Sequence, residues 1–425
     1  MTTFDRIIGY ETIKNELMQI CDMIHNKDIY TALGAKMPQG LLLYGEPGLG
    51  KTLMAKCFLE ESGLPAYTIR RNKGTDDFVG EITSTFRKAK ENAPAIIFLD
   101  DMDKFANEDE YKRDAEEYVA IQSGIDEVKG GEVFVLATAN NIRKLPSSLI
   151  RSGRFDRKIE VCNPSPDDAY EIIKHYMKDK KIAEDLNLED AAMMIKYSSC
   201  AELETILNEA AIQAAYARRE SISMQDMIHA VLRMEYDAPD NFVKPSEEEK
   251  RRIALHEAGH LVVSEALVPG SVGLASLRST GRDEIDGFVR RCKDLKRRPH
   301  DILIALGGKA AVELYYADAP ASGCQKDISR AAEHIRHAIF TNGVRGMGMV
   351  DVEIRDIEMS ESFNTRIEAV VHAELERYIM KARDILLKNR DFLEKVTDAL
   401  LEKDTFLHSD IAKLREYTTV TEVIV

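Results

Sequence analysis

Two short stretches of this chain carry residue types at spacings that can do chemistry. The first is "HEAGH", His256 to His260, inside the run "RRIALHEAGHLVV". Residues four apart share one face of a helix, so His256 and His260 aim two imidazoles at one point. Neutral imidazole binds zinc at about 2.0–2.1 Å, and a catalytic site adds a third protein ligand and an open position for water. Glu257, beside the first histidine, is placed to take a proton from that water. The competing reading is a buried helix with two satisfied histidines. The second stretch is "GEPGLGKTL": Gly45, Glu46, Pro47, Gly48, Leu49, Gly50, Lys51, Thr52 and Leu53. An apolar strand run leads into it and a helical pattern follows, the context a phosphate-binding loop requires. Backbone N–H groups of such a loop and the helix N-terminus favour phosphate. Lys51 would reach the β- and γ-phosphates of ATP, and the Thr52 hydroxyl would bind Mg2+.

The elements around these stretches have to position them. "AIIFLDDMD", residues 95–103, reads as a buried strand ending in acids. Asp100 would hold Mg2+ through water, and Asp101 stands where a P-loop ATPase usually carries the glutamate that orients the attacking water. "EVFVLATANN" is a further strand ending in Asn140, placed to sense the γ-phosphate. Arg151 and Arg154 in "LIRSGRFDRKIEV" precede another strand. Strands alternating with helices predict a parallel sheet with nucleotide at its carboxyl edge.

The third zinc ligand is not local. One zinc-protease class continues the motif with Gly and His at positions 263 and 266, but this chain has Val263 and Ala266. Glu313, Asp327, His334 and His337 are the candidates on composition. The apolar segment around Val272–Leu277 reads as a strand. A free edge there would let substrate add as a further strand, and a capped edge would not; both readings stand.

At 425 residues the chain has room for two or three domains. A net charge of −15 argues against a general nucleic-acid binder. Six scattered cysteines without a C-x-x-C pair read as reduced thiols of a cytoplasmic protein. No run of 18 apolar residues and no signal-peptide pattern are present, so no direct membrane span is expected in this chain. The Pro-flanked, charged segment "YDAPDNFVKPSEEEKRR" reads as a linker between two halves.

On these motifs, residues 4–235 resemble an AAA+ ATPase module, and 246–415 resemble the zinc peptidase domain of the FtsH family of ATP-dependent proteases. "IIGYETIKNEL" resembles the segment that packs on adenine, which assigns Ile8 and Gly9 to nucleotide. "RSGRFDR" resembles the arginine-finger motif, which implies that Arg151 and Arg154 act on a neighbouring subunit's ATP; surface arginines of a loop are the alternative. "CAELETILNEAAIQAA" resembles the helical-lid motif, with Cys200 where the family usually has glycine. "SGCQKDISRAA" resembles the segment whose aspartate completes the zinc shell, which assigns Asp327, with His334 the second choice. Phe78, Val79 and Gly80 match the family's pore loop that grips unfolded substrate. Taken alone, a Phe before Gly is more often core.

The resemblance implies an α/β AAA+ domain with a parallel sheet (1–163) and a helical lid (164–236). A linker (237–247) and a mainly α-helical zinc peptidase domain (248–425) follow. It implies one Zn2+ per subunit, ATP or ADP with Mg2+, and unfolded or tagged protein substrates. It also implies a homo-oligomer, expected as a hexamer. Relatives carry transmembrane helices ahead of the ATPase; this chain starts near the module, so it is either a soluble member, the favoured expectation, or a piece of a longer membrane protein. Two other activities stay open: a remodelling ATPase with a slow or inactive peptidase, and a zinc peptidase on a largely structural ATPase ring.

Overall fold

A computed structural model of the chain describes residues 2–71, 77–106, 115–195, 198–236, 245–278, 287–293, 298–316, 324–342 and 361–423. The chain divides into two compact units, residues 1–180 with 197–208, and residues 181–196 with 209–425.

The first unit is built on five strands: β1 (Gly40–Tyr44), β2 (Ala66–Ile69), β3 (Ala95–Leu99), β4 (Val133–Ala139) and β5 (Arg157–Glu160). All pair in parallel, in the order β2-β3-β4-β1-β5. The apolar runs "LLL", "AIIFL" and "VFVLATA" are fully buried because helices cover both faces, as a parallel sheet requires. Each fully buried Leu or Val contributes about 1.5–3 kcal/mol relative to exposure. The helices are α1 (Glu11–His25), α2 (Lys27–Ala32), α3 (Lys51–Ser62), α4 (Phe78–Glu91), α5 (Ala115–Val128) and α6 (Pro166–Met177). α3 packs on one face, with Phe58 against Phe134 of β4. α4 lies on the other, where Ile82 and Phe86 share a core with Ile97, Leu99 and Val135. Alternation along β4 sends Phe134 and Val135 to opposite helices.

The second unit is mainly helical. It holds α7 (Leu188–Met194), the later part of α8 (Cys200–Tyr216), and α9 (Met224–Tyr236). α10 (Glu247–Leu267), α11 (Arg298–Tyr315), α12 (Cys324–Asn342), α13 (Glu361–Lys388), α14 (Arg390–Lys403) and α15 (His408–Glu416) follow. α10 is the axis. From Ile253 to Leu267 it is buried almost all round, its polar residues included, so neighbouring elements surround it. Its start is set by Ser246, whose hydroxyl accepts from the Glu249 amide while the Glu249 carboxylate takes the Ser246 amide. The charged run 247–252, part of the expected linker segment, is therefore helix; residues 237–244 lie outside the described residues.

A three-stranded antiparallel sheet completes this unit: β6 (Val272–Ser276) lies between β7 (Phe288–Arg291) and β8 (Thr405–Leu407). Of the two readings of the 272–277 strand, the capped one is correct. Both edges of β6 carry a partner, so no substrate strand can add there. Among the described residues no helix is long and apolar enough to cross a membrane.

Candidate active sites: a metal centre and a nucleotide cleft

The metal centre depends on two helices approaching closely. α10 crosses α11 at glycines: a Cβ on Gly259 would stand 2.4 Å from the Gly307 carbonyl oxygen, and one on Gly307 2.8 Å from that of Gly259. The next residue, Gly308, lies against the imidazoles. A Cβ there would come within 2.5 Å of both His256 Cε1 and His260 Nε2. The pair of glycines in "ALGGKAA" therefore provides space for the motif on the other helix. His260 Nδ1 lies 2.6 Å from the Ile304 carbonyl oxygen. A carbonyl only accepts, so Nδ1 carries a proton and Nε2 is the nitrogen left to face a metal, the arrangement that orients a metal-binding histidine.

Asp327, in the first turn of α12, comes to the same point. Its Oδ2 lies 3.0 Å from His256 Nε2 and 3.2 Å from His260 Nε2, and the two nitrogens are 3.1 Å apart. Two ligand atoms held tetrahedrally by zinc at about 2.0–2.1 Å stand about 3.3 Å from each other. The three donors thus form nearly the base of a zinc tetrahedron, and the donor set fits zinc. They are the one group among the described residues with this convergence; Glu313, His334 and His337 do not join it. Burial works against an imidazolium at His260, but the Asp327 carboxylate outweighs it and raises the pKa to about 9. At His256 burial prevails and the pKa is lowered. Burial also disfavours the Asp327 carboxylate, yet the two imidazoles hold it well below the usual range.

Glu257 is 3% exposed and shares a cavity of about 190 Å3 with His256, His260 and Asp327. Gly287 makes room for it, because a Cβ there would lie 2.7 Å from Glu257 Cγ. Phe288 and Val289 of β7 form one wall. The arrangement places a carboxylate, two imidazoles and a second carboxylate around one small volume open to solvent.

The nucleotide cleft sits at the carboxyl ends of the parallel strands. A cavity of about 480 Å3 is lined by Tyr44, Gly45, Glu46, Leu49, Asn140 and Cys162, among others. Gly48 and Gly50 take φ values of +81° and +84°, which L side chains rarely adopt, and so let the loop turn into α3. The Lys51 ammonium donates to the carbonyls of Gly45 (2.8 Å) and Glu46 (2.6 Å), and burial lowers its pKa. Thr52 and Thr138 hydroxyls both donate to Asp100 Oδ1, at 3.2 and 2.9 Å. The Asp101 amide donates to Thr138 Oγ1 at 2.9 Å. Asp101 itself has a left-handed backbone, φ +56°, which Asp tolerates better than most residues. One of its oxygens lies 3.4 Å from Asn140 Nδ2, and the other accepts from Lys104 at 2.6 Å. Asp103 accepts from the Asn140 amide at 2.9 Å and holds the end of β4. The loop, lysine, threonine and acids fit a magnesium nucleotide.

The segment with Ile8 and Gly9 abuts this cleft through Tyr10, whose hydroxyl donates to the Cys162 carbonyl at 3.0 Å. The lid meets the loop directly: the Ala201 amide donates to the Gly48 carbonyl at 3.1 Å. Cys200 Sγ lies 3.5 Å from the Tyr10 hydroxyl.

Two of the expected site residues are buried among groups of their own chain. Arg154 is 2% exposed, and it donates to both oxygens of Asp126, at 3.0 and 2.6 Å, and to the Ser148 carbonyl. Arg151, three residues earlier, is exposed. Phe78 is 6% exposed, with its ring edge-on to Phe105 at 5.4 Å. Asp77 accepts from the Gly80 amide at 2.8 Å and caps α4, so Phe78, Val79 and Gly80 form a helical turn. On that turn Phe78, Ile82 and Phe86 share the inward face, and the ring belongs to the core.

Sequence reading missed three contributors: Thr138, Asp103 and Gly308. A threonine closing an otherwise apolar strand was the available signal for the first, and a double glycine inside a helical pattern for the third.

A profile described as "ATPase family associated with various cellular activities (AAA)" matches residues 41–163, and one described as "Peptidase family M41" matches residues 243–414. The chain is 31% identical to "ATP-dependent zinc metalloprotease FtsH 3" of Symbiobacterium thermophilum, over 97% of this chain and 71% of that protein. It is 32% identical to "ATP-dependent zinc metalloprotease FtsH" of Leptotrichia buccalis, over 97% of this chain and 56% of that protein. A nucleotide-binding parallel sheet joined to a helical unit with a three-ligand metal centre defines an ATP-powered metallopeptidase. The chain belongs to the FtsH family of ATP-dependent zinc metalloproteases, and zinc, ATP and Mg2+ are its cofactors.

Proposed function

We propose that this chain unfolds protein substrates in an AAA+ ring, six-membered by resemblance to its family, and cleaves them at the His256–His260–Asp327 centre. Folded domains hide their backbone behind roughly 5–15 kcal/mol of stability. A peptidase that needs an extended chain therefore needs a motor. In the motor, Lys51 and the loop amides bind phosphates, Thr52 and Asp100 meet Mg2+, and Asp101 with Asn140 orients the attacking water. Arg151, exposed, is the arginine that completes a neighbour's site. The partition into 1–163, 164–236, 237–247 and 248–425 is proposed as the functional one. Six scattered cysteines without a C-x-x-C pair support a reducing, cytoplasmic location.

In the peptidase, His256, His260 and Asp327 would hold zinc, which would acidify a bound water and polarise the scissile carbonyl. Glu257 takes the proton of the attacking water and delivers it to the leaving amine. His260, fixed by the Ile304 carbonyl, and Asp327 hold the ligand geometry. β7 forms the wall along which an extended substrate lies.

The observation that carries this reading is the convergence of Nε2, Nε2 and Oδ2 within 3.2 Å beside a buried glutamate. It favours an active peptidase over a scaffold. The test is degradation of an unfolded protein with and without ATP. Glu257→Gln is expected to lower proteolysis by about 10²–10⁴-fold while ATP hydrolysis persists. Equal degradation by wild type and Glu257→Gln would remove the peptidase from the account.

A further inference from the structure

β2 and β3 run in parallel register, Ile69 opposite Leu99, and the Asp100 amide donates to the Ile69 carbonyl at 3.1 Å. The residue after β2 therefore stands beside the acids that follow β3. That residue is Arg70. Its Nε lies 3.6 Å from Asp100 Oδ2, and its Nη2 lies 4.0 Å from Asp101 Oδ2. Asp100 Oδ1 is already engaged by the Thr52 and Thr138 hydroxyls, so Oδ2 is the oxygen left for a cation. The Asp100 side chain is 5% exposed, whereas that of Arg70 is 59% exposed.

We propose that Arg70 is a positioning residue of the nucleotide site that competes with Mg2+ for the Asp100 and Asp101 carboxylates. It thereby sets the Mg2+ concentration at which nucleotide binds tightly. This rests on the assignment of Asp100 to Mg2+ made above. The physical argument has three parts. First, a half-exposed ion pair adds little stability, so the pair is not needed to hold the fold. Second, a guanidinium and a divalent cation that share one carboxylate repel each other at a separation of a few ångströms, where charges interact strongly even near a surface. Third, the same guanidinium attracts phosphate and forms directional hydrogen bonds to it. Arg70 thus releases the acids as Mg2+ arrives and, one carboxylate away from Thr52 of the loop, favours nucleotide when the metal is scarce. Lys104, which holds the second oxygen of Asp101 at 2.6 Å, reinforces the positive charge on that side.

The test is equilibrium binding of a fluorescent, non-hydrolysable ATP analogue to the full chain, first in EDTA and then across a Mg2+ titration. Arg70→Gln is expected to lower the Mg2+ midpoint about fivefold and to weaken metal-free binding about threefold. Arg70→Lys, which keeps the charge, is expected to stay within about twofold of wild type on both measures. An unchanged midpoint in Arg70→Gln overturns the inference, as does an equal shift in both variants, since loss of local structure and not charge would then be the cause. If wild-type binding does not respond to Mg2+ at all, or Asp100→Ala leaves that response intact, the assignment of Asp100 falls and this inference with it. A normal Mg2+ response that Asp100→Ala abolishes and Arg70→Gln leaves in place overturns the inference alone.

Discussion

The two sites are built on opposite principles. The metal centre lies within one unit and is complete there: two residues come from α10, one from α12, and the space between them from α11. Every ligand side chain is held by helix packing. The nucleotide cleft is assembled from strand ends and a loop, and its charged groups are occupied with each other. Lys51 rests on loop carbonyls, Asp101 on Lys104, and Asp100 faces Arg70. A metal site tolerates little displacement, because ligand distances are set to a few tenths of an ångström. A motor must instead exchange partners at each turn of its cycle, and loosely held groups at strand ends permit that.

Several substitutions break or sharpen this contrast. The largest effect separates the two arginines of the motor. Arg151→Ala is expected to lower ATP hydrolysis by about 10³-fold or more if it acts as a finger, with thermal stability unchanged. Arg154→Ala is expected to destabilise the first unit by about 1–3 kcal/mol, because the Ser148 carbonyl and Asp126 lose their donor. Thermal unfolding alongside phosphate release checks both; a stable but inactive Arg154→Ala would return that residue to the catalytic list.

Next is the preorganised side. Gly308→Ala puts a methyl against both imidazoles and is expected to weaken zinc binding about 10–100-fold, measured by chelator competition. Full zinc affinity in that variant would mean that α11 yields easily, and the claimed rigidity would be wrong.

The third concerns protons. In the zinc-free chain His260 holds a proton up to a pKa of about 9, His256 is already biased to neutral, and Asp327 to the carboxylate. Zinc takes the unprotonated Nε2, so binding at pH 7 releases about one proton. Apparent zinc affinity should then rise about tenfold per pH unit from 6.5 to 8.5 and level off above 9. Calorimetry in buffers of different ionisation enthalpy counts the proton; a count of zero would refute the His260–Asp327 pairing.

The smallest effect lies in the cleft. Asp101 is one methylene shorter than the glutamate expected at its position. Asp101→Glu is expected to raise the ATPase rate by about two- to fivefold through better water positioning. An unchanged or lower rate would show that the local backbone at φ +56° already aims the shorter side chain correctly.

Legibility followed distance along the chain. The strand runs, the loop at Gly45–Thr52 and the pair His256 and His260 could be read because their geometry is set within a turn or a strand. Asp327 lies 67 residues from His260, and the motif alone left four candidates for it. Arg70 carries no local mark; only strand register puts it beside Asp100. Phe78 shows the same limit from the other side. Its motif resembles a gripping loop, while its ring lies buried at the first turn of α4, a placement that no short motif states.

Residue order alone established two catalytic cassettes, a phosphate cradle and a pair of imidazoles, since both depend on neighbours within about four positions. Packing decided the rest: which distant carboxylate meets the two imidazoles, which arginine is buried, and that β6 has two partners. Those outcomes turn on how whole helices and strands fit against one another, and that fit is a property of summed surfaces which no short stretch contains.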